Sequence, residues 1–157
     1  MKTADLIDSH ASKLTLVHLP FRQFGSKPFF RGMVQTVKCF EDNTEVRAQL
    51  EQPGDGRILV VDGGGSTRIA LLGDILADLA INSGWAGIVV NGAIRDSAEI
   101  DMMPTTVFAL ATSPVKSAKE GWGKTGGAIS FGGVVFRPGG WVFGDADGVL
   151  YSDDELA

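Results

Sequence analysis

Three neighbouring segments decide how this chain folds: Arg57-Ile-Leu-Val-Val-Asp62, Asp74-Ile-Leu-Ala-Asp-Leu-Ala-Ile-Asn-Ser83 and Gly87-Ile-Val-Val-Asn-Gly92. Four consecutive aliphatics at 58–61 leave no polar face for solvent, as in a strand covered on both sides. In the second segment Ile75, Leu76, Leu79 and Ala80 fall at helical spacing, Asp78 and Asn82 face outward, and Gly84 stands where a helix stops. The third segment is another buried strand, which runs on into Ala93-Ile-Arg-Asp96. Strand, helix and strand in succession predict a parallel βαβ element at the centre of the chain.

Outward from that centre the signals shorten. A helix is expected over 3–10, with Thr3 as N-cap and Leu6 and Ile7 turned inward. Residues 29–40 alternate apolar and polar like a half-buried strand, and Asp42-Asn43 then caps a helix that Pro53-Gly54 stops near Gln52. A short strand is expected over 69–72. The last third reads as short strands broken by glycine pairs, at 107–112, 128–131, 134–136, 141–143 and 149–151. Neither a repeat nor a linker is present, so one α/β domain over 1–157 is expected, with strand-rich ends around a mixed middle. Asp153-Asp-Glu155 reads as a solvated end.

Composition narrows the function classes. The chain has 157 residues, 44% of them hydrophobic, enough for a core without metal or disulfide staples. Glycine accounts for 21 residues, about twice the usual share, without the period of a collagen. A net charge of −5 offers no basic stripe for a phosphate backbone, so direct nucleic-acid binding is not expected. The single cysteine, Cys39, excludes an internal disulfide and a multi-cysteine zinc site; it reads as a small buried hydrophobe in a cytoplasmic protein. No apolar run approaches the ~20 residues of a membrane span. Two acids near the amino terminus speak against an export signal.

Three groups could carry chemistry. Gly63-Gly-Gly-Ser66 suggests a phosphate loop, but the Lys-Ser/Thr ending is missing and Arg68 stands where a dinucleotide loop needs glycine, so the loop reads as a turn. His10 and His18 lack partners at metal-ligand spacing. The third group is Asp74 with Arg95-Asp96. In a βαβ element the helix start and the carboxyl end of the following strand share one edge of the sheet, where α/β folds bind ligands. Amides at Gly73, Asp74, Ile75 and Leu76 suit an anion, Arg95 suits a carboxylate gripped by two parallel bonds, and the carboxylates of Asp74 and Asp96 suit a hard divalent cation. The residues alone leave open whether Asp74 is only an N-cap and Arg95-Asp96 only a solvated pair.

Phe21-Arg-Gln-Phe-Gly25, Val37-Lys-Cys-Phe-Glu-Asp-Asn43, Val60-Val-Asp-Gly-Gly-Gly-Ser66 and Gly92-Ala-Ile-Arg-Asp96 resemble the family of the regulator of ribonuclease activity A, which shares its fold with class II 4-hydroxy-4-methyl-2-oxoglutarate aldolases. The resemblance covers nearly the whole chain. It implies a swivelling β/β/α domain with mixed sheets, assembled as a homotrimer with sites at subunit interfaces. The aldolase branch carries Gly-Asp, twenty residues, then Arg-Asp; here Gly73-Asp74 and Arg95-Asp96 stand at that spacing. Carried over, Gly73, Asp74, Ile75 and Leu76 become substrate contacts, Arg95 the carboxylate grip and Asp96 the direct metal ligand. Asp74 reaches the metal's waters, and Asp74 and Arg95 become the catalytic pair. The larger aldolases also take an acid from a neighbouring subunit. Asp145 and Asp147 could stand in for it, although a turn is the simpler reading of Gly144-Asp-Ala-Asp-Gly148.

Two hypotheses follow from these readings. The first is a lyase, dependent on Mg²⁺ or Mn²⁺, that cleaves 4-hydroxy-4-methyl-2-oxoglutarate to two pyruvates and decarboxylates oxaloacetate, because both reactions leave pyruvate enolate. The second is a protein that binds ribonuclease E or an RNA helicase without catalysis, its negative charge meeting basic disordered segments. Trp85, Trp122 and Trp141 are the expected anchors of a homotrimer.

Overall fold

The computed structural model describes residues 2–156. The two strands read as buried are β4 (Ile58–Asp62) and β6 (Gly87–Ile94), parallel neighbours with Ile58 beside Gly87 and Asp62 beside Asn91. The helix between them is α3 (Asp74–Asn82). A second crossover precedes it: β3 (Phe30–Lys38) leads through α2 (Thr44–Leu50) into β4, again in parallel. Beyond β6 lies β7 (Val107–Thr112), also parallel.

The flanks of this parallel centre are antiparallel. β1 (Thr15–Leu16), β12 (Gly148–Ser152) and β11 (Trp141–Asp145) continue the sheet outward from β3, and β2 (Arg22–Phe24) closes the far edge on β7. Two short strands join at the sides, β5 (Ala70–Leu72) on β6 and β8 (Lys124–Thr125) on β3. A separate hairpin is formed by β9 (Ile129–Phe131) and β10 (Val134–Phe136). The result is the single α/β domain with a curled mixed sheet that the family resemblance implied.

Alternation along β4 shows why both faces must be apolar. Leu59 and Val61 enter the cluster that includes Val46 and Leu50 of α2 and Leu76, Ala77 and Ala80 of α3. Ile58 and Val60 enter the opposite cluster with Phe131, Phe136, Val142 and Tyr151. Helices cover one side and the β9–β10 hairpin the other. Each fully buried aliphatic contributes roughly 1.5–3 kcal/mol. A third cluster pins α1 (Thr3–His10) to the sheet through Leu6, Phe143 and Leu150.

Several local expectations change. Thr3 is the first residue inside α1 rather than its cap; its amide and hydroxyl donate to Asp145 at 2.8 and 2.7 Å. Asp145 therefore anchors α1 while also accepting from the Asp147 amide, which makes 145–148 a turn. The buried stripe of α3 is Leu76, Ala77 and Ala80, whereas Ile75 is 70% exposed. Trp85 is a core residue and Trp141 lies under the Arg31 guanidinium, so of the three tryptophans only Trp122 stands out into solvent. β1, β2, β8 and the helix α4 (Ser97–Asp101) were not expected, since segments this short carry little periodicity. Among the described residues no helix is long and apolar enough to cross a membrane.

Candidate active site

The pairing of β5 with β6 creates the site. Leu72 ends β5 beside Ile94 at the end of β6, and the Arg95 amide donates to the Leu72 carbonyl at 2.9 Å. Two strands running side by side and stopping together bring Gly73-Asp74 against Arg95-Asp96, although twenty residues separate the pairs. Proximity at the strand ends was expected; its agent, the short strand β5, is more specific than the βαβ argument alone.

Gly73 is the N-cap of α3, and its backbone is extended, so it is required by space rather than by torsion. A Cβ there would stand 2.8 Å from Asp96 Oδ2 and 3.3 Å from Arg95 Cγ. Asp74 is thus the first residue of the helix, not its cap, and its amide donates to Asp96 Oδ2 at 3.1 Å. The helix start already grips a carboxylate, as the partial positive charge of its free amides dictates. Asp96 itself is left-handed, at φ 56°, which turns the chain from β6 into α4 and aims its carboxylate back over Gly73.

Asp74 and Asp96 therefore meet at the strand ends, joined through the Asp74 amide. The hydrogen bond with Asp96 holds the Asp74 carboxyl above the ordinary aspartate range, with burial and the charges of Asp96 and Glu99 acting in the same direction. Glu99, on the first turn of α4, was not singled out in the sequence. The ion pairs among the described residues are Arg31–Glu155, Arg47–Glu51 and Arg68–Glu41, so Arg95 keeps its guanidinium free of a carboxylate partner.

Gly73, Asp74, Ile75, Leu76, Arg95 and Asp96 all line one cleft of about 180 Å³. The same cleft is lined by residues that no sequence spacing singles out: Asn43 and Arg47 around the start of α2, and Lys116 and Lys119 from an irregular segment. They lie far apart in the sequence and outside any regular element but α2, so no spacing reveals them.

The other candidates fall away from this cleft. The amides of the 63–66 loop are used internally: Gly63 and Gly65 donate to the Asn91 carbonyl, Gly64 to Asp62 Oδ1 and Ser66 to the Gly63 carbonyl. That is a closed turn rather than a phosphate cradle. Glu41 clamps its far side, accepting from Ser66 and from Arg68. Cys39 is buried, and desolvation, reinforced by Asp42 and Asp62, pushes its thiol up to about 12.

A family model described as Aldolase/RraA matches residues 3–151. The chain belongs to that family. It is 51% identical over 154 residues to a Laribacter hongkongensis protein named "Putative 4-hydroxy-4-methyl-2-oxoglutarate aldolase", covering 98% of this chain and 97% of that one. A Cupriavidus necator protein of the same name is 52% identical over 159 residues, covering 98% and 96%. Among solved structures, a Geobacillus kaustophilus protein titled as an S-adenosylmethionine:2-dimethylmenaquinone methyltransferase superposes with a TM-score of 0.97 at 51% identity, covering 99% and 97%. The RNA-processing inhibitor RraA from Thermus thermophilis superposes at 0.95 with 43% identity, covering 100% and 95%.

Proposed function

We propose that the protein is a class II pyruvate aldolase, a lyase that splits 4-hydroxy-4-methyl-2-oxoglutarate into two pyruvates and decarboxylates oxaloacetate. The observation that carries this reading is the joining of Gly73-Asp74 to Arg95-Asp96 in one cleft, with a free guanidinium on one side and a carboxyl pair on the other. Relatives at about half identity whose names include that aldolase support it.

The donor set fits a hard cation. Asp74 and Asp96 offer carboxyl oxygens in a cleft lined by neither cysteine nor histidine, which suits Mg²⁺ or Mn²⁺, ions that keep several waters and take one or two protein carboxylates. Asp96 would ligate the ion directly and Asp74 through water; when bound, the ion supplies Lewis-acid stabilisation of charge on the keto oxygen.

The chain's own residues do the rest. Arg95 holds the carboxylate of the pyruvoyl end through its planar fork, and the first-turn amides of α3 add dipole stabilisation. In the cleavage the 4-hydroxyl loses its proton and the bond between C3 and C4 breaks. One pyruvate leaves with a new carbonyl, while the electron pair passes to the other half as an enolate that takes up a proton at C3. Loss of carbon dioxide from oxaloacetate leaves the same enolate. Asp74, on the first turn of α3, lines the cleft where it would exchange protons with water held there.

The decisive assay is pyruvate release from each substrate by purified protein with Mg²⁺. Release that stops with a chelator and returns with added Mg²⁺ supports the reading; no pyruvate from either substrate contradicts it. Assembly as a homotrimer belongs to the same reading. Light scattering at about 50 kDa, three copies of a 16.6 kDa chain, supports it, and a fully active monomer contradicts it.

A second reading is favoured by the full-length likeness to the RNA-processing inhibitor. The protein would then bind ribonuclease E or an associated RNA helicase through protein surfaces. Direct binding to purified ribonuclease E that survives Asp96→Asn identifies that role as independent of the cleft, and absence of binding excludes it.

A further inference from the structure

The segment from Ser113 to Trp122 lines the cleft through Lys116, Ser117 and Lys119 without regular structure, yet it is tied along its length. The Ala70 amide donates to the Val115 carbonyl at 2.8 Å, and Lys116 forms a parallel bridge with Ala70. Ala118 donates to the Glu41 carbonyl at 3.1 Å, and Ser117 Oγ accepts from the Asn43 amide at 3.1 Å. The strongest tie is a buried carboxylate. Asp42, 3% exposed, accepts from the amide and hydroxyl of Thr44 through Oδ1 and from the Glu120 amide at 2.6 Å through Oδ2, and the Trp122 amide bonds to it as well. A surface strap held this firmly fixes the backbone from which its side chains extend.

Those side chains are cationic. Lys116 and Lys119 both line the cleft, and neither enters an ion pair among the described residues. Lys119 Nζ donates to Asn43 Oδ1 at 3.3 Å, a neutral acceptor that leaves its charge uncompensated. Four cations, Arg47, Arg95, Lys116 and Lys119, therefore line a cleft whose only acidic lining residues are Asp74 and Asp96. Arg47 is paired with Glu51 at 3.8 Å, so a single carboxylate held at Arg95 leaves Lys116 and Lys119 without an anionic partner among the described residues.

We propose that the strap is a second anion subsite, in which Lys116 and Lys119 take the distal carboxylate of a 2-oxo dicarboxylate while Arg95 holds its pyruvoyl end, and Asp42 is the positioning residue that keeps the strap at that height. The proposal rests on the lyase reading, whose substrates are charged at both ends, and adds to it the residues that make such acids preferred over 2-oxo monocarboxylates. Each ammonium is a point charge on a flexible stem, suited to leaving groups of different shape, whereas the planar Arg95 fixes the end where bonds break.

The test is calorimetric titration of the whole protein with Mg²⁺ present, using pyruvate and 2-oxoglutarate, the latter a dicarboxylate with no 4-hydroxyl to permit cleavage. Wild-type protein should bind 2-oxoglutarate about tenfold or more tighter than pyruvate, the scale of one good charged hydrogen bond. Lys116→Ala with Lys119→Ala should abolish that preference and leave pyruvate affinity within about twofold of wild type. Asp42→Asn, which replaces an accepting oxygen facing the Glu120 amide by a donor, should reduce the same ratio; should this variant fail to fold, the lysine pair still decides. Equal wild-type binding of the two acids, or equal loss of both in the double-lysine variant, overturns the subsite while the lyase reading stands. No binding of either acid to wild-type protein overturns the lyase reading and the subsite with it.

Discussion

Asp96 accepts a hydrogen bond of 3.1 Å from the amide of Asp74, twenty-two residues earlier, and it does so across Gly73, where a Cβ would stand 2.8 Å from the same carboxylate oxygen. The missing side chain at Gly73 is thus what lets the end of β6 lie over the start of α3.

Gly73→Ala should therefore act on the site rather than on the core. The backbone there is extended and tolerates alanine, but Arg95 and Asp96 must shift by some tenths of an ångström. Displacements of about 1 Å cost up to ~100-fold when reacting groups must align. The expected result is kcat/KM for pyruvate release down by about tenfold or more with an unchanged melting curve; full activity would show that the close approach has no role.

Asp96 carries two duties that separate by substitution. Asp96→Asn keeps a side chain suited to the left-handed backbone and should abolish tight Mg²⁺ binding with little change in stability. Asp96→Ala should lose the same binding and about 1 kcal/mol of stability besides, from the backbone strain. Calorimetric Mg²⁺ titrations with thermal melts check both; wild-type Mg²⁺ affinity in Asp96→Asn would remove it as a ligand.

The loop clamp gives a pH signature. Hydrogen bonds from Arg68 and then Ser66 hold the Glu41 carboxyl at about 2 against an ordinary 4.5. For a carboxyl lowered by folding, the stabilisation is complete above the ordinary value and is lost as pH falls toward the folded one. The Glu41 carboxyl resonance should titrate near 2, and Arg68→Ala should move its midpoint up toward 4.5. A wild-type midpoint near 4.5 would show that the clamp does not form in solution.

How far the sequence reveals these features depends on the length of each element. β4, α3 and β6 were legible because eight or nine residues of period, or an unbroken run such as Ile58 to Val61, outweigh local noise. β1, β2 and β8 have two or three residues each and owe their strand geometry to partners distant in sequence, for example Thr15 beside Tyr151. The Gly73-Asp74 and Arg95-Asp96 half of the cleft was legible through its spacing and its family resemblance. The Lys116 and Lys119 half was not, because hydrogen bonds from the Glu120 and Gly121 amides to Asp42 and Thr44 set that strap's path and no pattern in the chain records them. Thr3 and Trp85 failed for the same reason: a cap and an exposed anchor were inferred from residue type, whereas Asp145 and the core, respectively, decide their places.

Cys39 should behave as a core residue. With its thiol pushed up to about 12 it is almost wholly protonated at pH 8, and the thiolate is the reactive form. Alkylation by iodoacetamide should be undetectable in the native protein and rapid in denaturant. Fast native labelling would place Cys39 at an accessible surface.

The most direct test of the account is kcat/KM for pyruvate release by Arg95→Lys beside the wild-type protein, with melting curves of both. Lysine keeps the charge at 95 but not the planar fork, so loss of a charged hydrogen bond worth ~1.5–3 kcal/mol should lower kcat/KM by roughly ten- to a hundredfold with stability unchanged. An unaltered kcat/KM would mean that Arg95 does not hold the substrate, and the cleft would lose the group on which its assignment as a pyruvate lyase depends.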